Sequence, residues 1–290
     1  MKRSEFIRKG LLGGSLLMTA PAFANVIENN YDELSPINNI GFNHLPFTKS
    51  KIMDNTILHK ADTRGRADHG WLNSYHSFSF ANYYNPDRMH FGVLRVLNDD
   101  RVEPSMGFGT HPHDNMEIIS IPLEGDLEHK DSMGNIAVIK NGDVQVMSAG
   151  KGITHSEYNK NKNAVVKFLQ IWIFPNKRNV EPRYDQITLR EEDRHNQLQQ
   201  IISPNPDDAG VWIHQNAWFH LGKLDSGFKT EYQIKSKDNG VYIFVLSGDV
   251  RINNQILNKR DGFGIWNIDT LMIEAKSNTE ILIMDVPMAV

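Results

Sequence analysis

The 290-residue chain has no cysteine. That excludes disulfides, thiolate metal ligands and a cysteine nucleophile. Lys and Arg form no dense cluster beyond the first ten residues, and the formal net charge is −4. A non-specific nucleic-acid partner is therefore excluded. The apolar run at residues 11–20 is too short to span a bilayer comfortably, so no stable membrane anchor is expected. What is present is a globular composition, 40% hydrophobic with charge of mixed sign. The length suits one large or two ordinary domains.

The N-terminus reads as an export signal. Lys2, Arg3, Arg8 and Lys9 precede the apolar run, and Ala22-Phe23-Ala24 offers a small-x-small site with cleavage after Ala24. Arg3-Ser4-Glu5-Phe6-Ile7-Arg8-Lys9 resembles a degenerate twin-arginine signal in which Ser4 replaces the second arginine. Loss of residues 1–24 removes four basic groups and one acidic group, a net +3, and so moves the charge from −4 to −7. The expected location is periplasmic or otherwise exported, or cytoplasmic if the signal is not used. Residues 25–50, polar and rich in Asn, read as a linker or N-terminal arm.

From residue 51 onward, short β-rich runs alternate with turn signals. Strands are expected at 91–97, 116–123, 136–140, 144–147 and 164–174. Further strands are expected at 211–213, 217–221, 230–234, 241–246, 263–266 and 281–286. Asn141-Gly142 is a hairpin turn signal, and the charged stretch at 189–196 is a short helix or connector. This spacing predicts an all-β sandwich or barrel. Leu123-Glu-Gly-Asp-Leu127 has a counterpart in Leu246-Ser-Gly-Asp-Val250, and Asn141-Gly142-Asp143 a rough one around Arg260-Asp261-Gly262. Two repeated barrels with a boundary near residue 190 account for both.

Two residue pairs dominate the chemistry. His111 and His113 open the stretch 107–157, and His155 and Glu157 close it. Each pair is spaced i, i+2, so on a strand both side chains face one side. Neutral imidazoles with a carboxylate suit Fe(II), Ni(II), Co(II), Cu(II) or Zn(II) better than Ca or Mg. Three neutral His and one carboxylate around a divalent ion leave about +1 net charge by formal counting, which favours an anionic ligand. The second half lacks any His-x-His or His-x-Glu. Offsets measured from the repeated glycines put Ile234 where the first half has His111, and Ala275 where it has His155. Only the first barrel is expected to hold metal.

Gly109-Thr-His-Pro-His113, Met116-Glu-Ile118 and Leu123-Glu-Gly125 resemble the first motif of cupins, and Met147 to Glu157 resembles the second motif as pirins write it. Residues 64–73, 77–84, 170–173 and 182–186 also resemble the bacterial pirins described as quercetin 2,3-dioxygenases. The resemblance runs from about residue 52 to the C-terminus. It implies a bicupin of two tandem jelly-roll-like barrels: an N-terminal metal-binding domain at 51–188 and a metal-free one at 189–290. One divalent ion is implied on His111, His113, His155 and Glu157, with Fe(II) favoured and Ni, Co, Mn, Cu or Zn as alternatives. Glu117 stands where many cupins place a fourth ligand; in pirins that position is not in the metal set, so Glu117 is expected beside the ligands and not among them.

The implied activity is opening of a flavonol such as quercetin by dioxygen with release of carbon monoxide, in a monomer. A carboxylate, Glu157 or Glu117, would take the 3-hydroxyl proton. The alternative is a non-enzymatic, metal- or redox-sensing pirin that acts by binding another protein. His69 and His76 are expected in structural roles, and Met106, Met116 and Met147 as core filler.

Overall fold

The computed structural model describes residues 55–290. The signal at 1–24 and the arm at 25–50 lie outside the described residues. These contain no α-helix, only strands and two 3-10 turns; none of their helices is long and apolar enough to cross a membrane.

In chain order the first strands are β1 (Asn55–His59), β2 (Gly65–Asp68), β3 (Leu72–His76), β4 (Leu94–Val102), β5 (Gly107–His113) and β6 (Glu117–Glu124). There follow β7 (Leu127–Asp131), β8 (Ile136–Ile139), β9 (Asp143–Ser148), β10 (Ile153–Asn159), β11 (Val166–Ile173) and β12 (Arg183–Thr188). The second half holds β13 (Leu198–Ser203), β14 (Val211–Trp212), β15 (Trp218–Leu224), β16 (Lys229–Gln233) and β17 (Asn239–Ser247). It ends with β18 (Val250–Ile252), β19 (Gln255–Leu257), β20 (Gly262–Trp266), β21 (Thr270–Ala275) and β22 (Thr279–Pro287).

Two barrels result, each closed by one seven-stranded and one four-stranded sheet. The first has orders β12-β9-β6-β11-β4-β3-β2 and β5-β10-β7-β8; the second has β1-β20-β17-β22-β15-β13-β14 and β16-β21-β18-β19. The long sheets follow one plan, and so do the short ones. The chain is a bicupin. Its charged connector forms a 3-10 turn at Glu191–Arg194, too short for an α-helix. β1 precedes the whole first barrel yet hydrogen-bonds to β20 of the second, in the flanking place that β12 takes beside β9.

The repeated Gly-Asp turns are forced by the backbone. Gly125 and Gly248 both have positive φ, 75° and 72°. A Cβ there would lie 2.7 Å from the Val165 carbonyl oxygen and 2.3 Å from that of Asn278, just before β11 and β22. Only glycine tolerates both demands.

Three apolar layers hold the barrels. The largest joins the outer faces of the two long sheets, with Ile119, Leu169 and Ile171 from one and Phe219, Phe244 and Leu282 from the other, all buried. Each such side chain contributes about 1.5–3 kcal/mol on burial. The interior of the second barrel is one cluster of fifteen buried residues, including Tyr232, Ile252, Leu271 and Ile273. The first barrel's interior is split into clusters of six and four. Polar side chains occupy the space between.

Candidate metal centre

The short sheet of the first barrel positions that polar space. On β10 the burial alternates, so Ile153, His155, Glu157 and Asn159 face inward while Thr154 and Tyr158 face solvent. β10 is flanked by β5 and β7. His155 pairs across with His111 and Ile153 with His113; on the other side Glu157 pairs with His129 and His155 with Asp131. Antiparallel partners share a face, so three strands aim their polar groups at one region. The register slips between His155 and Glu157 relative to β5. Gly107 allows β5 to close in there, because a Cβ would lie 2.2 Å from the Glu157 carbonyl oxygen.

Two overlapping donor triads result. Ligand atoms of His111, His113 and His155 lie within 4.8 Å of one another, as do those of His129, His155 and Glu157. His155 belongs to both. The structure thus brings His111, His113 and His155 together, and joins Glu157 to them through His155. His129 is a buried histidine that the motif reading missed.

The hydrogen bonding leaves these rings ready for a cation. Nδ1–H of His111 donates to the Gly109 carbonyl at 2.8 Å, which frees Nε2 as a lone-pair donor. Both ring nitrogens of His155 are buried without any partner. An unbonded buried polar atom costs about 1–3 kcal/mol, and a coordinated ion would offset that cost. Burial holds all four histidines below the usual imidazole range, His113 down to about 3 with a further push from His111. They are neutral at pH 7, the form that ligates. The residues present therefore fit a borderline divalent metal.

Glu157 is 3% exposed. It accepts hydrogen bonds from Ser120 Oγ at 2.8 Å and Gln170 Nε2 at 2.7 Å, both reaching across from the long sheet. Burial pushes its carboxyl up to about 7 despite these two donors. Gln170 had a legible signal, as the polar residue in the run Phe168-Leu-Gln-Ile-Trp-Ile173. Trp172 lies on the same face, its ring 4.9 Å from His113 and 5.3 Å from Phe80.

Glu117 is elsewhere. It shares its face of β6 with Ile119, which belongs to the layer between the barrels, whereas Ile118 faces the interior. Its Oε2 accepts from Ser148 Oγ at 2.7 Å, and its carboxylate also accepts the His214 main-chain N–H. The motif spacing suggested a place beside the metal; the parity of β6 turns the side chain to the opposite face. His76 packs edge-on against Phe80, and Met147 is fully buried in the smaller interior cluster. A cleft of about 440 Å³ between the barrels, lined among others by Lys167, Arg194 and Lys259, contains none of the donors.

Comparison with known proteins identifies the family. A family model described as Pirin matches residues 58–173, and one described as Quercetinase C-terminal cupin domain matches 200–286. The chain belongs to the pirin family. This pirin is 44% identical over 230 residues to a quercetin 2,3-dioxygenase of Escherichia coli (strain K12), spanning 79% of this chain and 98% of the relative. It is 40% identical to a pirin-like protein of Caulobacter vibrioides, over 77% of this chain and 96% of that one. The crystal structure of the bacterial pirin YhhW from Escherichia coli in complex with nickel(II) superposes with a TM-score of 0.77 at 42% identity. That likeness covers 81% of this chain and all of the other.

Proposed function

We propose that this pirin is a metal-dependent dioxygenase that opens the heterocycle of a quercetin-like flavonol with dioxygen and releases carbon monoxide. The observation that carries the reading is the buried set of unpartnered imidazoles beside Glu157 inside one barrel. Its similarity to a protein named quercetin 2,3-dioxygenase supports the same reaction. A divalent ion on His111, His113, His155 and Glu157 would supply Lewis-acid stabilisation of the substrate's 3-oxyanion. Fe(II) is the favoured occupant, with Ni(II), Co(II), Mn(II), Cu(II) or Zn(II) as alternatives, because one donor set serves them all.

The chain's own groups do the rest. Glu117 is on the wrong face of β6, so Glu157 is the carboxylate that takes the 3-hydroxyl proton, at one of its Oε atoms. Ser120 and Gln170 fix its orientation, as a general base requires. Trp172 and Phe80 close the His113 side with aromatic edges, which exclude water and suit a planar ring.

The test is to reconstitute metal-free protein with each ion in turn and follow quercetin absorbance together with headspace carbon monoxide. Loss of the first with appearance of the second is expected. Neither signal with any ion would refute the enzyme and leave the non-enzymatic sensor. The signal at 1–24 supports an exported form, checked by cell fractionation. Sedimentation is expected to give a monomer.

A further inference from the structure

We propose that the cleft between the two barrels is a second binding site, independent of the metal, for an amphipathic carboxylate whose head is met by Arg194 and Lys259.

The floor of the cleft sets the first requirement. Its volume is about 440 Å³, within the range of small-molecule sites. Ile121, Leu123, Leu189, Leu221 and Leu246 line it, from β6, β15, β17 and the segment after β12. All five belong to the apolar layer between the barrels or pack against it. An apolar or aromatic body can lie on this floor and be removed from water.

The rim sets the second requirement. Its cations are Lys167, Arg194, Lys223, Lys259 and Arg260. Lys167 pairs with Glu124, and Lys223 with Glu191. Arg260 donates from Nε to Asp99 at 3.0 Å and from Nη1 to the Leu246 carbonyl at 2.9 Å. Glu280 acts electrostatically on Lys223 and Arg260. The Asp143 carboxylate is taken by the Lys140 N–H, Gln186 and Thr188. Arg194 and Lys259 are left over. Arg194 Nε is buried without a hydrogen-bond partner, and Lys259 makes no ion pair among the described residues. A bound carboxylate supplies both an acceptor and the opposite charge.

The internal repeat shows that part of this charge is an addition. The β8–β9 and β19–β20 turns follow one plan: Asp143 accepts the Lys140 N–H at 2.8 Å, and Asp261 accepts the Asn258 N–H at 3.0 Å. Asn141 and Gly142 of the first turn thus correspond to Lys259 and Arg260 of the second. The left-handed position is glycine in the first, with φ 92°, and arginine in the second, with φ 68°, although that conformation favours glycine. The second barrel therefore presents two cations to the cleft where the first presents none.

A set of ion pairs that only clamps the barrels together is the competing account. It explains Lys167 and Lys223 but not Arg194 and Lys259. Inorganic phosphate would use the cations and leave the floor uncovered, so an amphipathic anion is the class that fits both.

The test uses anilinonaphthalenesulfonate, a fluorescent amphipathic anion whose sulfonate stands in for the carboxylate, on the full-length protein with and without a chelator. One saturable site is expected, unaffected by metal removal. Naphthoate should displace the probe, whereas neutral naphthol and inorganic phosphate should not. The Arg194→Gln, Lys259→Gln double variant should bind the probe about tenfold more weakly. Lys162→Gln, which alters an exposed lysine outside the cleft, should leave the affinity unchanged. Glu280→Gln removes an opposing charge and should tighten binding a few-fold, a gain that a damaged fold would not give. No saturable binding, or unchanged affinity in both the double variant and Glu280→Gln, would overturn the proposal. Loss of the site on metal removal would assign the probe to the metal centre and overturn it as well.

Discussion

The two barrels share one strand plan and differ inside. Anchored at Gly125 and Gly248, the registers of the short sheets correspond, apart from the slip between His155 and Glu157 against β5, which the β16–β21 pair lacks. His129 then corresponds to Ile252, Glu157 to Ile273, His155 to Leu271, His111 to Tyr232 and His113 to Ile234. Every position that faces the donor cluster in the first barrel carries an apolar or aromatic residue in the second. Tyr232, Ile252, Leu271 and Ile273 belong to one continuous core there, and Ile234 packs against it. The offsets read from sequence had named Ile234 and Ala275 as the counterparts of His111 and His155. The paired strands correct these to Tyr232 and Leu271, because a gap-free count ignores loop lengths that differ between the repeats. The conclusion that the second barrel lacks metal ligands is unchanged. One barrel keeps unpartnered polar groups and the chemistry they permit, while the other keeps the apolar burial that stabilises the pair.

If so, equivalent substitutions should have opposite consequences in the two barrels. Ile273→Glu puts into the second barrel the carboxylate that the first carries at Glu157. With no Ser120 or Gln170 to bond it, the group is expected to destabilise the fold by ~4 kcal/mol or more. Thermal melting should fall by roughly 10 °C for a chain of this size.

Asp100 gives an intermediate, pH-dependent effect within the first barrel. It is 4% exposed and accepts a hydrogen bond from Ser74. Burial raises its carboxyl from 3.8 to about 7. A carboxylate with a raised folded-state pKa favours folding at low pH and loses that contribution as pH rises from about 4 through 7. Asp100→Asn should therefore melt close to the unaltered protein at pH 4 and several degrees above it at pH 8. Equal differences at both values would contradict the burial cost assigned to the charge.

The smallest effect is expected at Gln145, which pairs with Ser120 and has both amide atoms buried and unbonded. Gln145→Leu removes two unsatisfied groups, so stability should stay level or rise by ~1 kcal/mol. A loss of several kcal/mol by denaturant titration would mean that the amide is satisfied by a group not yet recognised.

Much of this was legible in the chain. Strands with long apolar stretches, such as β6, β11, β17 and β22, stand out by composition, and the i, i+2 spacing of His111/His113 and His155/Glu157 carries the face-sharing of β5 and β10. Strands such as β7 (Leu-Glu-His-Lys-Asp) and β12 (Arg-Tyr-Asp-Gln-Ile-Thr) did not stand out, because most of their residues are charged or polar and pairing, not propensity, makes them strands. His129 was hidden for that reason: only the β7–β10 register sets it opposite Glu157. Glu117 was misjudged because motif spacing says nothing about which face a strand's first residue takes. The pairing of β1 with β20 is a contact across some 200 residues that no local pattern announces.

The central claim is that metal resides in the first barrel on this donor cluster. The most direct measurement is metal content by mass spectrometry on protein purified from its own cell fraction, beside a His111→Ala, His155→Ala double variant. We expect about one Fe, Ni, Co, Mn, Cu or Zn per chain in the unaltered protein by the one-centre reading, and none in the variant. Equal metal in both, or no metal in the unaltered protein, would contradict the account.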